Sequence, residues 1–306
     1  MPDANAIPSR DSPRRASGAP VNWPAPAHIL APGPGMPRIG VVFASPHSGS
    51  HYPESILSRS RLSPIVLRRT EDAFVDELFA DAPCFGAPLI SAEFARSFVD
   101  LNRAACEVDP DMFHDAPPAY RAQRANERVR AGLGCLPRIA SGGEEIYDAP
   151  LPWSEGQNRL EHVHAGYHTA LKRLVSAARV QGGGKAVLID CHSMPSNVRK
   201  GTRPVPHIVL GDRFGSACSH RLIAAAERAF RAMGYQVGRN APYAGGYTTR
   251  TYGLPRAGVH ALQIEINRAL YMDEASVTRL DRFEQVRADM ARVVEALTCP
   301  KLLARL

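Results

Sequence analysis

Apolar residues change their spacing several times along the chain, and the changes mark out elements. Residues 39–44 (IGVVFA), 185–190 (KAVLID), 207–211 (HIVLG), 235–238 (YQVG) and 259–266 (VHALQIEI) are short apolar runs of the kind buried strands show. Residues 87–101 (APLISAEF, then SFVDL) also read as strand material. Between the runs, helical spacing appears. Residues 63–82 predict a helix with Ser63 as N-cap and Pro64 in the first turn. Residues 155–181 predict a long helix opened by a Ser154–Gln157 capping box and stopped at Gly182–Gly184. Residues 216–233 and 274–297 carry apolar positions at helical spacing. Residues 103–150 mix charge with Pro, Gly and Tyr, predicting irregular structure with one short helix near 120–131.

This alternation predicts an α/β fold: a mixed or mostly parallel sheet with helices on both faces. Residues 1–26 are rich in Pro, Ala, Ser and Arg and show no apolar period, so a disordered tail is expected there. Residues 27–38 read as a Pro/Gly-punctuated entry, and residues 27–306 as one domain.

Composition narrows the function. No run of eighteen apolar residues exists and no signal-peptide pattern opens the chain, so neither a membrane span nor export is expected. The six cysteines form no CxxC pair, which fits a reducing cytoplasm better than a disulfide framework. The net charge of +7 is spread along the chain without a lysine tract or an aromatic-basic repeat. That disfavours nucleic acid as a partner and fits arginines committed to a small anion. Neither a GxSxG elbow nor a P-loop is present.

In sheets of this type ligands gather beyond the carboxyl ends of the strands. Two strands run directly into histidine there, VVFASPHSG into His47 and AVLIDCHSMPS into His192, and ALQIEIN carries Glu265 near its end. Imidazole is the commonest zinc ligand, and a catalytic zinc takes three protein ligands. The third is open between Asp72 and Asp76, which a continuous helix would place on one face. Asp190 is placed to orient a histidine from behind. Arg96, Arg103 and Arg250, with Asn102 and the glycines Gly245 and Gly246, form a second group suited to gripping an anion. His164 and His168, four apart, also invite a metal, but no zinc-protease carboxylate follows them. Cys191 is disfavoured as a nucleophile because it points to the strand face opposite His192.

The segments SPHSGSHYP (45–53), EDAFVDELF (71–79), FVDLNR (98–103), DCHSMPS (190–196), GGYTTRTYG (245–253) and HALQIEINRALYM (260–272) together resemble the N-formylglutamate amidohydrolase family. The resemblance implies a three-layer α/β/α sandwich with a mixed sheet, similar to the zinc carboxypeptidases. It implies hydrolysis of N-formyl-L-glutamate, a small anionic N-acyl amino acid, to formate and the free amino acid, a step of histidine degradation. It further implies one Zn2+ (or another divalent metal) held by His47 and His192, with Glu265 as general base. The carboxypeptidase pattern has a Glu three residues after the first His, where this chain has Ser50. Asp72 is therefore the first substitute for the acidic ligand and Asp76 the second. In this scheme Arg103 or Arg250 stabilises the oxyanion or holds a substrate carboxylate, and Arg96, Asn102 and Gly246 line the substrate. Two further readings remain: a zinc hydrolase of another small N-acyl amino acid or peptide, and a non-catalytic anion-binding protein of the same fold.

Overall fold

The computed structural model describes residues 22–115, 117, 127–197 and 205–306. Seven strands form one mixed sheet: β1 (Ala27–Leu30), β2 (Val41–Ser45), β3 (Leu89–Ala92), β4 (Ala186–Met194), β5 (Ile208–Gly211), β6 (Val237–Arg239) and β7 (Val259–Asn267). Their order is β1-β3-β2-β4-β7-β5-β6. The central strands β3, β2, β4 and β7 run parallel, while β1 and β5 are antiparallel to their neighbours β3 and β7. This is the expected α/β sandwich with a mixed sheet.

Period-two alternation sends side chains into two cores. Val187, Ile189 and Cys191 of β4, with Leu262, Ile264 and Ile266 of β7, face one core with the helices His220–Ala232 and Phe283–Thr298. Ala186 and Leu188 of β4, with Ala261 of β7, face the other, which is roofed by the helix Ala165–Gln181. Each large aliphatic side chain taken fully out of water contributes roughly 1.5–3 kcal/mol. The decisive feature lies on this second face. Its apolar alternation gives way to polar residues toward the strand ends, Leu188 to Asp190 to His192 on β4 and Ala261 to Gln263 to Glu265 on β7. Buried polar groups line up where the core stops.

Several elements differ from expectation. The helix predicted over 63–82 is broken into Pro64–Arg68, Val75–Leu78 and a 3-10 turn at Ala82–Phe85. Phe74, with φ of 67°, is left-handed, and the Asp72 amide donates to the His47 carbonyl at 2.9 Å rather than along a helix. Asp72 and Asp76 therefore do not share a helical face. The long helix begins at Trp153, and Ser154 makes no cap; the Asp115 carboxylate accepts from the Trp153 amide at 2.6 Å instead. The helix then runs through a π segment, Arg159–His164. Within 87–101 only Leu89–Ala92 is strand, since Phe98 and Val99 turn back onto the Ala95 carbonyl. The last long helix starts at Phe283 because Asp273 bonds Ser276 and closes a small hairpin before it. Ala27–Leu30 is an edge strand, not a loop.

Most of the expected tail and the centre of the helix near 120–131 lie outside the described residues, although Glu127–Arg130 is helical. Of the last tail residues, Trp23 packs edge-on against Phe94 and Phe98, so that end belongs to the folded body. No helix among the described residues is long and apolar enough to cross a membrane.

Candidate active site

β2 ends in a turn that carries His47, β4 carries His192, and the left-handed turn at Phe74 swings Asp72 between them. All three side chains are buried. His47 Nδ1 and His192 Nδ1 lie 3.3 and 3.0 Å from one oxygen, Asp72 Oδ2. One ligand atom from each residue falls within 4.8 Å of the others, a group able to hold a metal ion. Asp76 lies outside this group, on the helix Val75–Leu78, where burial and the neighbouring Glu77 push its carboxyl up to about 6.

The surroundings bear on whether a cation fits. His47 Nε2 lies 2.7 Å from Asp100 Oδ1, and His192 Nε2 lies 3.0 Å from Asp190 Oδ1. The hydrogen bond to Asp100 fixes the His47 ring, as an outer carboxylate does for metal-ligating histidines, and against the effect of burial the nearby Asp190 charge helps push His192 well up. His47 Nδ1 is buried and makes no hydrogen bond, although it points toward the shared Asp72 oxygen. A buried ring nitrogen left without a partner is costly unless something is meant to sit there. The donor set, two imidazoles and one carboxylate, suits zinc. The residues present therefore fit a divalent ion.

Asp72 and Glu265 have opposite electrostatics. Burial pushes the Asp72 carboxyl up, but the hydrogen bond from His192 and the two imidazoles packed against it outweigh burial and hold Asp72 well below the usual range. Glu265 stands opposite His192 in the β4–β7 register. Burial pushes its carboxyl up to about 8, against the pull of His192 and Arg96. Gln263, two residues earlier on the same strand face, donates to Glu265 Oε1 at 2.8 Å and accepts from the Gly246 amide at 2.9 Å. A cation nearby would favour the ionised form of Glu265, the form that accepts a proton.

These groups line a cavity of about 610 Å³. Arg96 faces it, but its Nε donates to Asp100 Oδ2 at 3.0 Å, so part of this guanidinium serves the His47 partner. Asn102 is held at several points: Nδ2 is 3.2 Å from His192 Nε2, Oδ1 accepts from the Thr248 amide, and its own amide donates to Asp100. The structure thus uses Asn102 to position other groups. Gly246 packs against it so closely that a Cβ would come within 2.6 Å of Asn102 Oδ1. Arg103 lines the same cavity, whereas Arg250 lies at the edge of an adjoining chamber, its guanidinium 5.8 Å from the Tyr247 ring centre.

A model of the N-formylglutamate amidohydrolase family matches residues 39–272, which is most of the chain. The chain belongs to that family. N-formylglutamate deformylase of Pseudomonas putida is 29% identical over 273 residues, covering 85% of this chain and 92% of that protein. The Pseudomonas aeruginosa enzyme of the same name is 29% identical over 266 residues, covering 85% of this chain and 93% of its own. The crystal structure of N-formylglutamate amidohydrolase from Ralstonia eutropha JMP134 superposes with a TM-score of 0.84 at 32% identity, covering 92% of this chain and 99% of that one.

Sequence reasoning missed Arg268 and the role of Asp100, both in quoted segments. Arg268 Nη2 donates to Asp72 Oδ1 at 3.0 Å and Nη1 to the Arg69 carbonyl. Gln263 was findable, being two residues before Glu265 and hence on the same face. His164 and His168 hold no metal group: Nε2 of each lies against a carbonyl, Arg103 and Leu101 respectively, on either side of Asn102. Cys191 faces the opposite core, where burial pushes its thiol well up.

Proposed function

We propose that this protein hydrolyses N-formyl-L-glutamate to formate and glutamate, using one divalent ion, zinc, held by His47, Asp72 and His192. The observation that carries the reading is the buried convergence of two imidazoles on one Asp72 oxygen, with Glu265 in register beside His192, in a chain of this family. The ion, when bound, would polarise the formyl carbonyl and make water acidic enough to attack near neutral pH.

The protein's own groups do the rest. Glu265 accepts a proton from the attacking water and returns it to the amide nitrogen as the C–N bond breaks, so formate and a free amine leave. Gln263 holds Glu265 Oε1 and thereby aims the carboxylate. Asp100 keeps the His47 ring oriented through its hydrogen bond, and the Asp190 carboxylate stands 3.0 Å from His192 Nε2. In this scheme Arg103, which lines the cavity, stabilises negative charge on the reacting oxygen. Arg96 and Arg250 are the further anion contacts of this scheme. All six cysteines are unpaired, which supports work in a reducing compartment such as the cytoplasm.

The test is an assay of amine release from N-formyl-L-glutamate by purified protein of measured metal content. Glu265→Gln should keep its metal and lose roughly 10²–10⁴-fold in kcat. A Glu265→Gln enzyme as fast as the parent removes the base from this scheme.

A further inference from the structure

Beside the cavity that holds the metal group lies a second chamber of about 440 Å³, the two sharing part of their walls. Asn102, Arg103 and Gly246 border both. Four guanidinium groups line the second chamber, from Arg103, Arg128, Arg213 and Arg250, against two carboxylates, Glu107 and Glu127. Arg103 lies 3.8 Å from Glu107. Arg213 and Arg250 have no carboxylate partner among the described residues. The chamber therefore keeps an excess of positive charge, borne by the side chain best shaped to take a carboxylate with two hydrogen bonds.

Arg213 reaches the chamber by an unusual route. Arg213 and Phe214 are both left-handed, with φ of 54° and 57°, a conformation that side-chain-bearing residues adopt only when their surroundings enforce it. Here Asn240 enforces it. Its Oδ1 accepts from the amides of Asp212 and Phe214 at 3.1 and 3.3 Å, and its Nδ2 donates to Asp212 Oδ1 at 2.8 Å. The Arg213 amide donates to the Ala244 carbonyl at 2.8 Å. The strained turn does not serve the core: Phe214 is 81% exposed at the rim of the metal cavity. What the turn gains is the placement of Arg213 beside the Gly245 carbonyl, inside the second chamber.

We propose that this chamber binds the side-chain carboxylate of an acidic N-acyl amino acid, and that Arg213, presented by its clamped left-handed turn, determines the preference for an acidic over a neutral side chain. The assignment rests on the deformylase reading for what happens to the amide, but the anion site itself does not require turnover. The scissile amide lies at the metal group and the acidic side chain extends past Asn102 into the arginines. A carboxylate-bonding site rejects the uncharged isostere strongly, because its donors are then left unpaired.

The experiment compares N-formyl-L-glutamate with N-formyl-L-glutamine, which differs only in side-chain charge, on the metal-loaded enzyme. Arg213→Asn is the chosen variant, since asparagine tolerates left-handed φ and keeps the turn. It should lower kcat/KM for formylglutamate about 10- to 100-fold, mostly through KM. Formylglutamine turnover should move by less than about 3-fold. Equal losses on both substrates, or no loss, would overturn the proposal. Calorimetric titration with glutarate, against pentanoate as the monocarboxylate of equal length, tests the site apart from catalysis. The parent should bind glutarate and Arg213→Asn should bind it at least about 10-fold more weakly. If neither formyl substrate turns over, the deformylase reading fails and the titration alone decides. Glutarate bound equally by parent and variant, or by neither, then sinks the chamber.

Discussion

Arg268 holds Asp72 by one oxygen and leaves the other for the histidines: Nη2 donates to Asp72 Oδ1 at 3.0 Å, while Oδ2 faces His47 and His192. The arginine is itself fixed, through Nε to Ser193 Oγ at 3.2 Å and Nη1 to the Arg69 carbonyl at 3.0 Å. Without it Asp72 Oδ1 would lose its hydrogen bond, and the carboxylate would be held from one side alone. Outer partners of metal ligands typically account for about 10- to 100-fold in affinity. Arg268→Gln should weaken zinc by that factor, measured by competition with a chromogenic chelator. Zinc affinity equal to the parent's would show that Asp72 needs no such brace.

The two aspartates compared at the start of the helical region should separate cleanly. Asp72→Asn removes a group in contact with both imidazoles. It should cost more metal affinity than the roughly 10- to 100-fold expected for an outer partner. Asp76→Asn removes a carboxylate remote from them and should leave metal content unchanged. Metal analysis after gel filtration checks both, with circular dichroism to show that each variant is folded. A metal-free Asp76→Asn protein would reverse the assignment.

How much of this was legible follows from how each residue reaches the site. His47, His192 and Glu265 leave apolar strands at their carboxyl ends, so a period-two pattern and the topology of parallel sheets point to them. Asp72 arrives by a left-handed residue, and periodicity wrongly extends the helix through it. Asp100 and Asn102 lie on a turn whose shape depends on contacts from the helix Ala165–Gln181 and the π segment before it. Arg213 depends on Asn240, 27 positions away, to hold its turn. Residues placed by a regular element are readable from spacing; those placed by long-range hydrogen bonds to loops are not.

The histidine pair behind that turn makes a pH prediction. His168 Nδ1 lies 2.9 Å from the Tyr252 hydroxyl and Nε2 lies 2.9 Å from the Leu101 carbonyl, so the neutral ring has a donor on one side and an acceptor on the other. Burial, helped by the adjacent His164, pushes His168 down to about 3, and burial lowers His164 as well. In the unfolded chain a histidine titrates near 6.5. Between these values the unfolded state binds a proton that the folded state refuses. Stability is therefore fully present above about pH 6.5 and falls as the pH drops toward 3, by about 1.4 kcal/mol per pH unit for His168 alone. Urea unfolding of metal-free protein from pH 7 to 4 measures the slope. His168→Gln, which retains a donor for Leu101, should be shallower by that amount, and an unchanged slope would mean that His168 is protonated in the fold.

Gly246 offers the closest test of how tightly the cleft is built. Its φ of −92° is open to any residue, so backbone conformation does not demand glycine. Space does: a methyl group there would meet Asn102 at 2.6 Å from Oδ1 and 2.7 Å from Cγ. The Gly246 amide must also keep its bond to Gln263, which aims Glu265. Gly246→Ala therefore pushes Asn102 off His192 or pulls Gln263 off Glu265. The overpacking should cost about 1–3 kcal/mol of stability. Turnover should fall far more than metal content, because the metal group does not touch Gly246. Denaturant midpoints, metal analysis and kcat on one preparation distinguish these effects. An alanine variant with the parent's kcat would show that the loop yields without disturbing either Asn102 or Gln263.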